Sequence, residues 1–192
     1  KPEARPLCGL IKRSLSLAKK PPWDSAGIET RILGYPAPRM ANSNEVRIIP
    51  GQWRGRKIRF PAGTAIRPTP DRVRETLFNW LAPMIRGARV LDAFAGSGAL
   101  GLESASRGAA SVVCLETDGR CVTALQDRCR EWGASQVEAV RADALRWLAA
   151  ARPSNSAPFD LVFLDPPYAL ESGELERAFQ VMRGPGWLSP SG

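Results

Sequence analysis

Residues 88–101, ARVLDAFAGSGALG, run from an apolar stretch through a glycine-rich turn into small residues typical of a helix start. Within them Gly96, Gly98 and Gly101 form the pattern G-x-G-x-x-G. Glycines at this spacing let the backbone turn tightly after a strand and approach a ligand, while the following helix start presents unpaired N–H groups. The stretch predicts a strand, a ligand-binding loop and a helix, although the glycines alone leave an NAD site and a purely structural turn open.

Strand and helix patterns alternate after this unit. The strand-like segments are ARVLDAF, ASVVCLE, QVEAVRA and FDLVFLD, with helical patterns between and after them. These strands are apolar on both faces, as buried parallel strands are, so we expect an α/β fold with a doubly wound, mostly parallel, Rossmann-like sheet. The chain ends at Gly192 soon after GWL, where a further strand is expected to begin.

The first 69 residues have a different composition from the rest. Residues 1–40 are rich in Pro, Lys and Arg without sustained periodicity, and we expect a disordered basic extension. Residues 41–69 predict a small unit of two or three short strands, and residues 70–192 the α/β domain. At the junction of these two units we predict a helix over DRVRETLFNWLAPMI, with Thr69 as N-cap and Pro70 at the first helical position. Its predicted apolar face is made by Val73, Leu77, Trp80 and Leu81.

The net charge of +8 is concentrated near the amino terminus. Residues 1–39 and residues 40–80 each contain eight Lys and Arg against three Asp and Glu, whereas residues 81–192 contain 11 against 13. A basic arm on a slightly acidic body indicates a polyanionic partner. Candidate phosphate contacts are Arg47, Arg54, Arg56, Lys57, Arg59, Arg67, Arg72 and Arg74.

Several classes of chemistry are disfavoured by the composition. The chain has no histidine, and its four cysteines form no CxxC pair, so we predict no metal site and no histidine-activated nucleophile. No apolar run approaches the roughly 18 residues of a membrane-spanning helix, and no signal-peptide pattern opens the chain. We therefore expect a cytoplasmic protein without a membrane partner.

Acidic residues follow the predicted strands and narrow the ligand class. Glu116 lies 18 residues after Gly98, where a carboxylate can accept ribose hydroxyls. Asp92 precedes the glycines, where its charge would repel a pyrophosphate but suit the cationic amino-acid end of S-adenosylmethionine. Asp143 can face an adenine amine or only cap a helix. The predicted cofactor site comprises Asp92, Phe94, Gly96, Ser97, Gly98, Gly101, Glu116, Asp143 and Ala144.

The fourth predicted strand ends in Asp165-Pro166-Pro167-Tyr168. Ligands of open α/β sheets bind outside the carboxyl ends of the strands, so these residues should lie beside the glycine loop. The Asp165 carboxylate and the Pro166 carbonyl can accept both N–H groups of one exocyclic amine, while Tyr168 stacks on the base. We take these four residues as the candidate catalytic site.

Together these motifs resemble a class I S-adenosylmethionine-dependent methyltransferase with the amino-methylating motif [DNS]-P-P-[YFW]. More narrowly, RIIPGQWRGRKI, RPTPDRVRETLFNWL and LDAFAGSGALGLE resemble the RsmD-type 16S ribosomal RNA guanine-N2 methyltransferases. The resemblance implies methyl transfer to a guanine N2 of 16S rRNA, within the 30S subunit or an assembly intermediate, by a monomer. It also implies a Rossmann-like methyltransferase sheet whose C-terminal strands are missing here, with a small β-rich RNA-binding extension.

Other functions compete with this interpretation. A DNA amino-methyltransferase shares the Asp-Pro-Pro-Tyr motif but usually needs a separate target-recognition domain. A non-catalytic RNA-binding protein with this fold would tolerate loss of Asp92 or Asp165, and both are present. An NAD-dependent oxidoreductase would need a proton donor such as His or Tyr-x-x-x-Lys, which does not accompany the loop.

Overall fold

The computed structural model describes residues 45–64, 66, 69–150, 157–166, 172–184 and 186–189. All of them belong to one compact unit, Ser43–Gly192. The predictions for residues 1–40, Arg67, Pro167 and Tyr168 lie outside the described residues. The elements in chain order are β1 (Glu45–Arg47), β2 (Lys57–Arg59), α1 (Asp71–Ile85), β3 (Arg89–Asp92), α2 (Ala99–Ser106), β4 (Ser111–Glu116), α3 (Gly119–Trp132), β5 (Val137–Arg141), α4 (Ala144–Ala149), β6 (Leu161–Phe163) and α5 (Ser172–Met182).

The central sheet has four parallel strands in the order β5-β4-β3-β6. The chain moves outward from β3 to β5 and then returns to place β6 on the other side of β3. This reversal creates a switch point between β3 and β6, which is where open α/β sheets bind ligands. The predicted α/β class and parallel Rossmann-like sheet are confirmed.

The GWL segment pairs beyond β6. Phe159 forms a parallel bridge with Leu188, and the Phe159 N–H donates to the Trp187 carbonyl at 2.8 Å. The Ser189 N–H donates to the Phe159 carbonyl at 2.8 Å. A further strand position therefore begins where the apolar pattern indicated one.

Two apolar clusters cover the two faces of the sheet. On β3, Val90 belongs to one cluster and Leu91 to the other, because successive side chains of a strand point to opposite faces. The antiparallel β1–β2 pair adds Val46 and Ile58 to the Val90 cluster. Trp53 joins it too, with its ring 5.6 Å from that of Trp132.

Helix α1 presents a different face from the predicted one. Its buried side chains are Arg74, Phe78, Leu81 and Ile85, while Val73 and Trp80 are 51% and 65% exposed. The Phe78 ring packs 5.8 Å from that of Phe163, which orients the helix. The predicted apolar face was wrong for Val73 and Trp80, because the pattern counted Arg74 as a solvent-facing residue.

The start of α1 also differs from the prediction. Pro70 is at the N-cap position, so the prediction of Pro70 inside the helix and of Thr69 as N-cap was wrong. No side-chain hydrogen bond caps this helix end. The Thr69 hydroxyl is directed instead to a carboxylate across the domain.

Candidate cofactor and substrate site

The glycine loop joins β3 to α2 at the carboxyl edge, the edge formed by the carboxyl ends of the parallel strands. Gly98 is the N-cap of α2 with a φ of 76°, a left-handed conformation that favours glycine. A Cβ on Gly101 would lie 2.4 Å from the Cys114 Sγ, so only glycine lets α2 pack this closely against β4. The loop is therefore formed by the glycines that the sequence singled out.

Asp92 ends β3 beneath this loop and is 1% exposed. Its Oδ2 accepts from the Gly101 N–H at 2.9 Å, and its Oδ1 has no hydrogen-bond partner among the described residues. The pKa of Asp92 is raised to about 7, chiefly by burial and also by the charges of Asp165 and Glu116, against the lowering by the Gly101 N–H. A cationic ligand at this edge would stabilise the ionised form.

Glu116 ends β4 and anchors the glycine loop. Its Oε2 accepts from the Gly96 N–H at 2.9 Å, and its Oε1 accepts from the N–H groups of Thr117 and Asp118 and from the Thr117 hydroxyl. Each carboxylate oxygen offers about two acceptor positions, so Oε1 is saturated by its three donors while Oε2 retains one position. One ribose hydroxyl could donate to the remaining position of Oε2, and a second would have to replace a donor on Oε1, most simply the Thr117 hydroxyl.

The remaining predicted cofactor residues surround the loop. Ser97 is buried in it, and Phe94 is half-buried against the Leu91 cluster. Asp143 is the N-cap of α4 and accepts from the Arg146 N–H at 2.9 Å, while Ala144 is buried behind it. The capping role of Asp143 is thus present in the fold, and its contact with an adenine stays a prediction.

Asp165 and Pro166 follow β6, and β6 lies directly beside β3 with Phe163 opposite Asp92. The Asp165 side chain is therefore close to the glycine loop, and its charge acts on Asp92. Asp165 is exposed, and its Oδ2 accepts from the Thr69 hydroxyl at 2.9 Å. The structure brings together two predicted sites, the glycine loop and the start of the Asp-Pro-Pro-Tyr motif.

The predicted phosphate contacts divide into two groups. Arg47, Arg54, Arg56, Lys57, Arg59 and Arg72 are exposed. Arg74 has no exposure, and its guanidinium contacts Glu103 and Asp71. The prediction that Arg74 contacts RNA was wrong, because folding pairs its charge inside the protein.

The exposed arginines do not all lie near the glycine loop. Arg54 and Arg56 belong to the turn of residues 50–56, which we call the basic turn. The Gln52 N–H donates to the carbonyl of Ser106, the last residue of α2, and Arg56 lies 5.5 Å from the ring of Trp132, the last residue of α3. Helices of this fold run antiparallel to the strands, so the basic turn lies at the opposite, amino edge of the sheet.

Arg74 and Glu103 form a buried ion pair that the sequence analysis missed. Arg74 Nη1 lies 3.3 Å from Glu103 Oε2, and both side chains are fully buried. Burial raises the pKa of Glu103, against the lowering by the Ile49 N–H, Arg107 and Arg74. A signal was available in ALGLESAS, where Glu103 is the one charged residue of an otherwise apolar and small helix.

The cysteines and acids of the described residues show no other site. Cys114 and Cys121 are buried and Cys129 half-buried, all as free thiols, and burial raises the pKa of each. Within the described residues no group of three or more Cys, Asp and Glu is arranged to hold a metal ion. The same residues contain no helix that is both long and apolar enough to cross a membrane.

Comparisons with known proteins agree with this geometry. A family model described as "Conserved hypothetical protein 95" matches residues 46–192. The chain is 44% identical to ribosomal RNA small subunit methyltransferase D of Escherichia coli over 152 residues, 79% of this chain and 74% of that protein. The protein of that name from Haemophilus influenzae is 42% identical over 149 residues, covering 77% and 75% of the two chains.

Solved structures show the same fold. The Escherichia coli protein yhhF superposes with a TM-score of 0.66 at 46% identity, covering 76% of each chain. The C-terminal domain of precorrin-6Y C5,15-methyltransferase from Rhodobacter capsulatus, with 20% identity and a TM-score of 0.51 over 69% of this chain and 62% of that one, shares the fold alone.

The parallel sheet, the glycine loop and the acids around it define a Rossmann-like methyltransferase that uses S-adenosylmethionine. The residues present fit that cofactor, since the buried Asp92 Oδ1, which has no hydrogen-bond partner among the described residues, suits a cationic group. Within this class, the chain belongs to the RsmD family of ribosomal RNA methyltransferases.

Proposed function

We propose that the chain transfers a methyl group from S-adenosylmethionine to the N2 amine of a guanine in 16S rRNA, within the 30S subunit or an assembly intermediate. The observation that carries the proposal is the position of Asp165 and Pro166 at the end of β6, beside the glycine loop that follows β3. The names of the similar proteins from Escherichia coli and Haemophilus influenzae support rRNA as the substrate class.

The chemistry required of the protein is mainly positioning. When bound, the cofactor supplies a sulfonium methyl, so the N2–C bond forms as the S–C bond breaks and one N2 proton passes to solvent. Guanine N2 is a weak nucleophile because its lone pair is delocalised into the ring. Acceptors at Asp165 Oδ1 and the Pro166 carbonyl would hold both N–H groups and stabilise the positive charge that develops on nitrogen.

In our proposal the same residues bind a guanine that has left its base stack. Pro166 has no N–H, so the motif offers acceptors rather than donors where the amine would enter. Tyr168, in our proposal, stacks on the guanine plane and offsets part of the few kcal/mol needed to unstack the base.

The RNA would extend from the carboxyl edge toward the amino edge. Arg72 and Arg47 lie near the start of α1, next to Thr69 and therefore near Asp165. Arg54 and Arg56 lie on the basic turn at the opposite edge. We propose that the first pair contacts phosphates near the target and the second pair contacts a more distant part of the RNA.

The monomeric state stays a prediction, to be measured by analytical ultracentrifugation.

The test is transfer of radiolabelled methyl to 30S subunits that lack this methylation, followed by nucleoside analysis. We expect label on a guanine N2, and a fall in kcat of about 10²- to 10³-fold in Asp165→Ala, because an interaction made at the reacting nitrogen is lost. Asp127→Ala, which removes an exposed carboxylate on α3, is the matched control and should retain activity.

Two outcomes would contradict the proposal. Label on another base or another atom of guanine would show that the site accepts a different amine. No label from the unaltered chain, together with retained binding to 30S subunits, would indicate an RNA-binding protein that has the fold without the activity.

A further inference from the structure

Thr69 and Asp165 are joined by a hydrogen bond between residues 96 apart in the chain. The Thr69 hydroxyl donates to Asp165 Oδ2 at 2.9 Å, and the threonine is half-buried while the aspartate is exposed. We propose that Thr69 is the positioning residue that fixes the Asp165 carboxylate for the substrate amine. This inference rests on the proposed function, in which Asp165 is the catalytic residue.

The chemistry of the two groups explains the assignment. The terminal torsion of an exposed aspartate is broad, so its oxygens sample many directions. Donation from a hydroxyl to Oδ2 narrows that range and leaves Oδ1 as the oxygen that can face a substrate. Because misplacement by about 1 Å can slow a positioned reaction roughly a hundredfold, this restriction acts on the rate.

Thr69 is itself held by the buried network around Arg74. The Thr69 carbonyl accepts from Arg74 Nε at 3.2 Å. The same guanidinium donates to the Arg47 carbonyl and Asp71 at 2.7 Å each, and to Glu103 at 3.3 Å. The backbone at Thr69 is therefore attached to β1, to α1 and to the helix that follows the glycine loop, so its hydroxyl has a rigid support.

A second contact, made by Ile66, lies on the cofactor side of the site. Ile66 Cγ1 and Cγ2 lie 3.7 Å from the position that a Cβ on Gly96 would occupy. The residues that lead into α1 thus contact the glycine loop through Ile66 and the end of β6 through Thr69. Ile66 and Thr69 therefore contact the two halves of the site, which suits these residues to set their relative geometry.

The experiment compares Thr69→Val, Thr69→Ser and Thr123→Val in the 30S methylation assay. Valine keeps the shape and removes the hydroxyl, so we expect kcat to fall about ten- to a hundredfold, with the KM for S-adenosylmethionine unchanged and the thermal midpoint lowered by only a few degrees. Serine restores the donor and should rescue kcat. Thr123→Val removes a hydroxyl that donates to the Gly119 carbonyl on the exposed face of α3, and should leave kcat unchanged.

Wild-type kcat in Thr69→Val, or equal losses in the valine and serine variants, would overturn the inference. An unaltered chain without methyl transfer would instead contradict the proposed function. The inference is then decided by a double-mutant cycle of Thr69→Val and Asp165→Ala on the urea midpoint, in which coupled residues give a non-additive change. Additive changes in that cycle would overturn it.

Discussion

At the carboxyl edge of the sheet, Asp92, Glu116 and Asp165 gather negative charge around the glycine loop, whereas at the amino edge Arg56 and Arg128 lie over the ring of Trp132. The acids are held by backbone and hydroxyl donors, and Asp92 is fully buried. Arg54 and Arg56 are exposed. The comparison separates two tasks, because the acids held by hydrogen bonds at the carboxyl edge affect pKa, stability and reaction geometry, while the exposed arginines of the amino edge affect salt-dependent affinity.

The largest expected effect lies at Arg74, which connects β1 to the carboxyl edge. Arg74→Ala would leave the buried Glu103 without one of its two guanidinium partners, and should lower the free energy of unfolding by about 3–5 kcal/mol. Arg72→Ala, two residues away on the exposed face of α1, should change it by less than about 0.5 kcal/mol. Urea denaturation measures both, and a similar cost for the two variants would contradict the assignment of Arg74 to the interior.

The second prediction concerns the pH dependence of stability. The folded pKa of Asp92 is raised from 3.8 to about 7, so between these values the native state binds a proton that the unfolded state has lost. The free energy of unfolding should therefore fall as pH rises, by about 3 kcal/mol between pH 5 and pH 8 from this group. Asp92→Asn should remove that fall, as measured by urea denaturation across the range.

Asp118 supplies the matched control. Its side chain accepts from the Arg120 side chain and backbone, which lower its pKa to about 2. Both its folded and its unfolded pKa then lie below pH 5, so Asp118→Asn should leave the change in stability between pH 5 and pH 8 intact. If Asp92→Asn shows the same fall in stability between pH 5 and pH 8 as the unaltered chain, a group other than Asp92 causes the pH dependence.

The third prediction concerns the packing beneath the glycine loop. Gly101→Ala would place a methyl group 2.4 Å from the Cys114 Sγ and should cost about 1–3 kcal/mol of stability through overpacking. Gly173→Ala in α5 meets no atom within 4 Å and should be neutral or stabilising, since alanine favours a helix. Equal thermal midpoints for the two variants would mean that α2 can move away from β4 at little cost.

The smallest effect is expected at the amino edge. Replacing both Arg54 and Arg56 by alanine should weaken 30S binding about tenfold and reduce the slope of log affinity against log salt by about one to two, with kcat at saturating substrate unchanged. A filter-binding titration at several salt concentrations measures this. The control replaces two exposed arginines, Arg177 on α5 and Arg183 directly after this helix. A loss of kcat in Arg54→Ala/Arg56→Ala would show that the two edges do not act separately.

The sequence predicted the parts of this protein that follow from local pattern. Alternating apolar strands and amphipathic helices indicated the parallel sheet, and the glycines indicated the tight turn that joins β3 to α2. These predictions succeeded because each depends on residues close in the chain. The predicted face of α1 failed at Val73 and Trp80 because the choice of face depends on Phe163 and Glu103, which are distant in sequence.

What the sequence by itself determined is the chemistry available: a fold class, a glycine loop, an acid–proline motif and a basic amino-terminal half. Only the tertiary structure decided which charged side chains are buried in ion pairs and which face solvent. It buries Arg74 against Glu103 while leaving Arg72 in solvent, and it directs the Thr69 hydroxyl to Asp165 instead of to a helix end. The physical reason is that burial and hydrogen-bond partners are set by packing between remote elements, and such packing has no local signature along the chain.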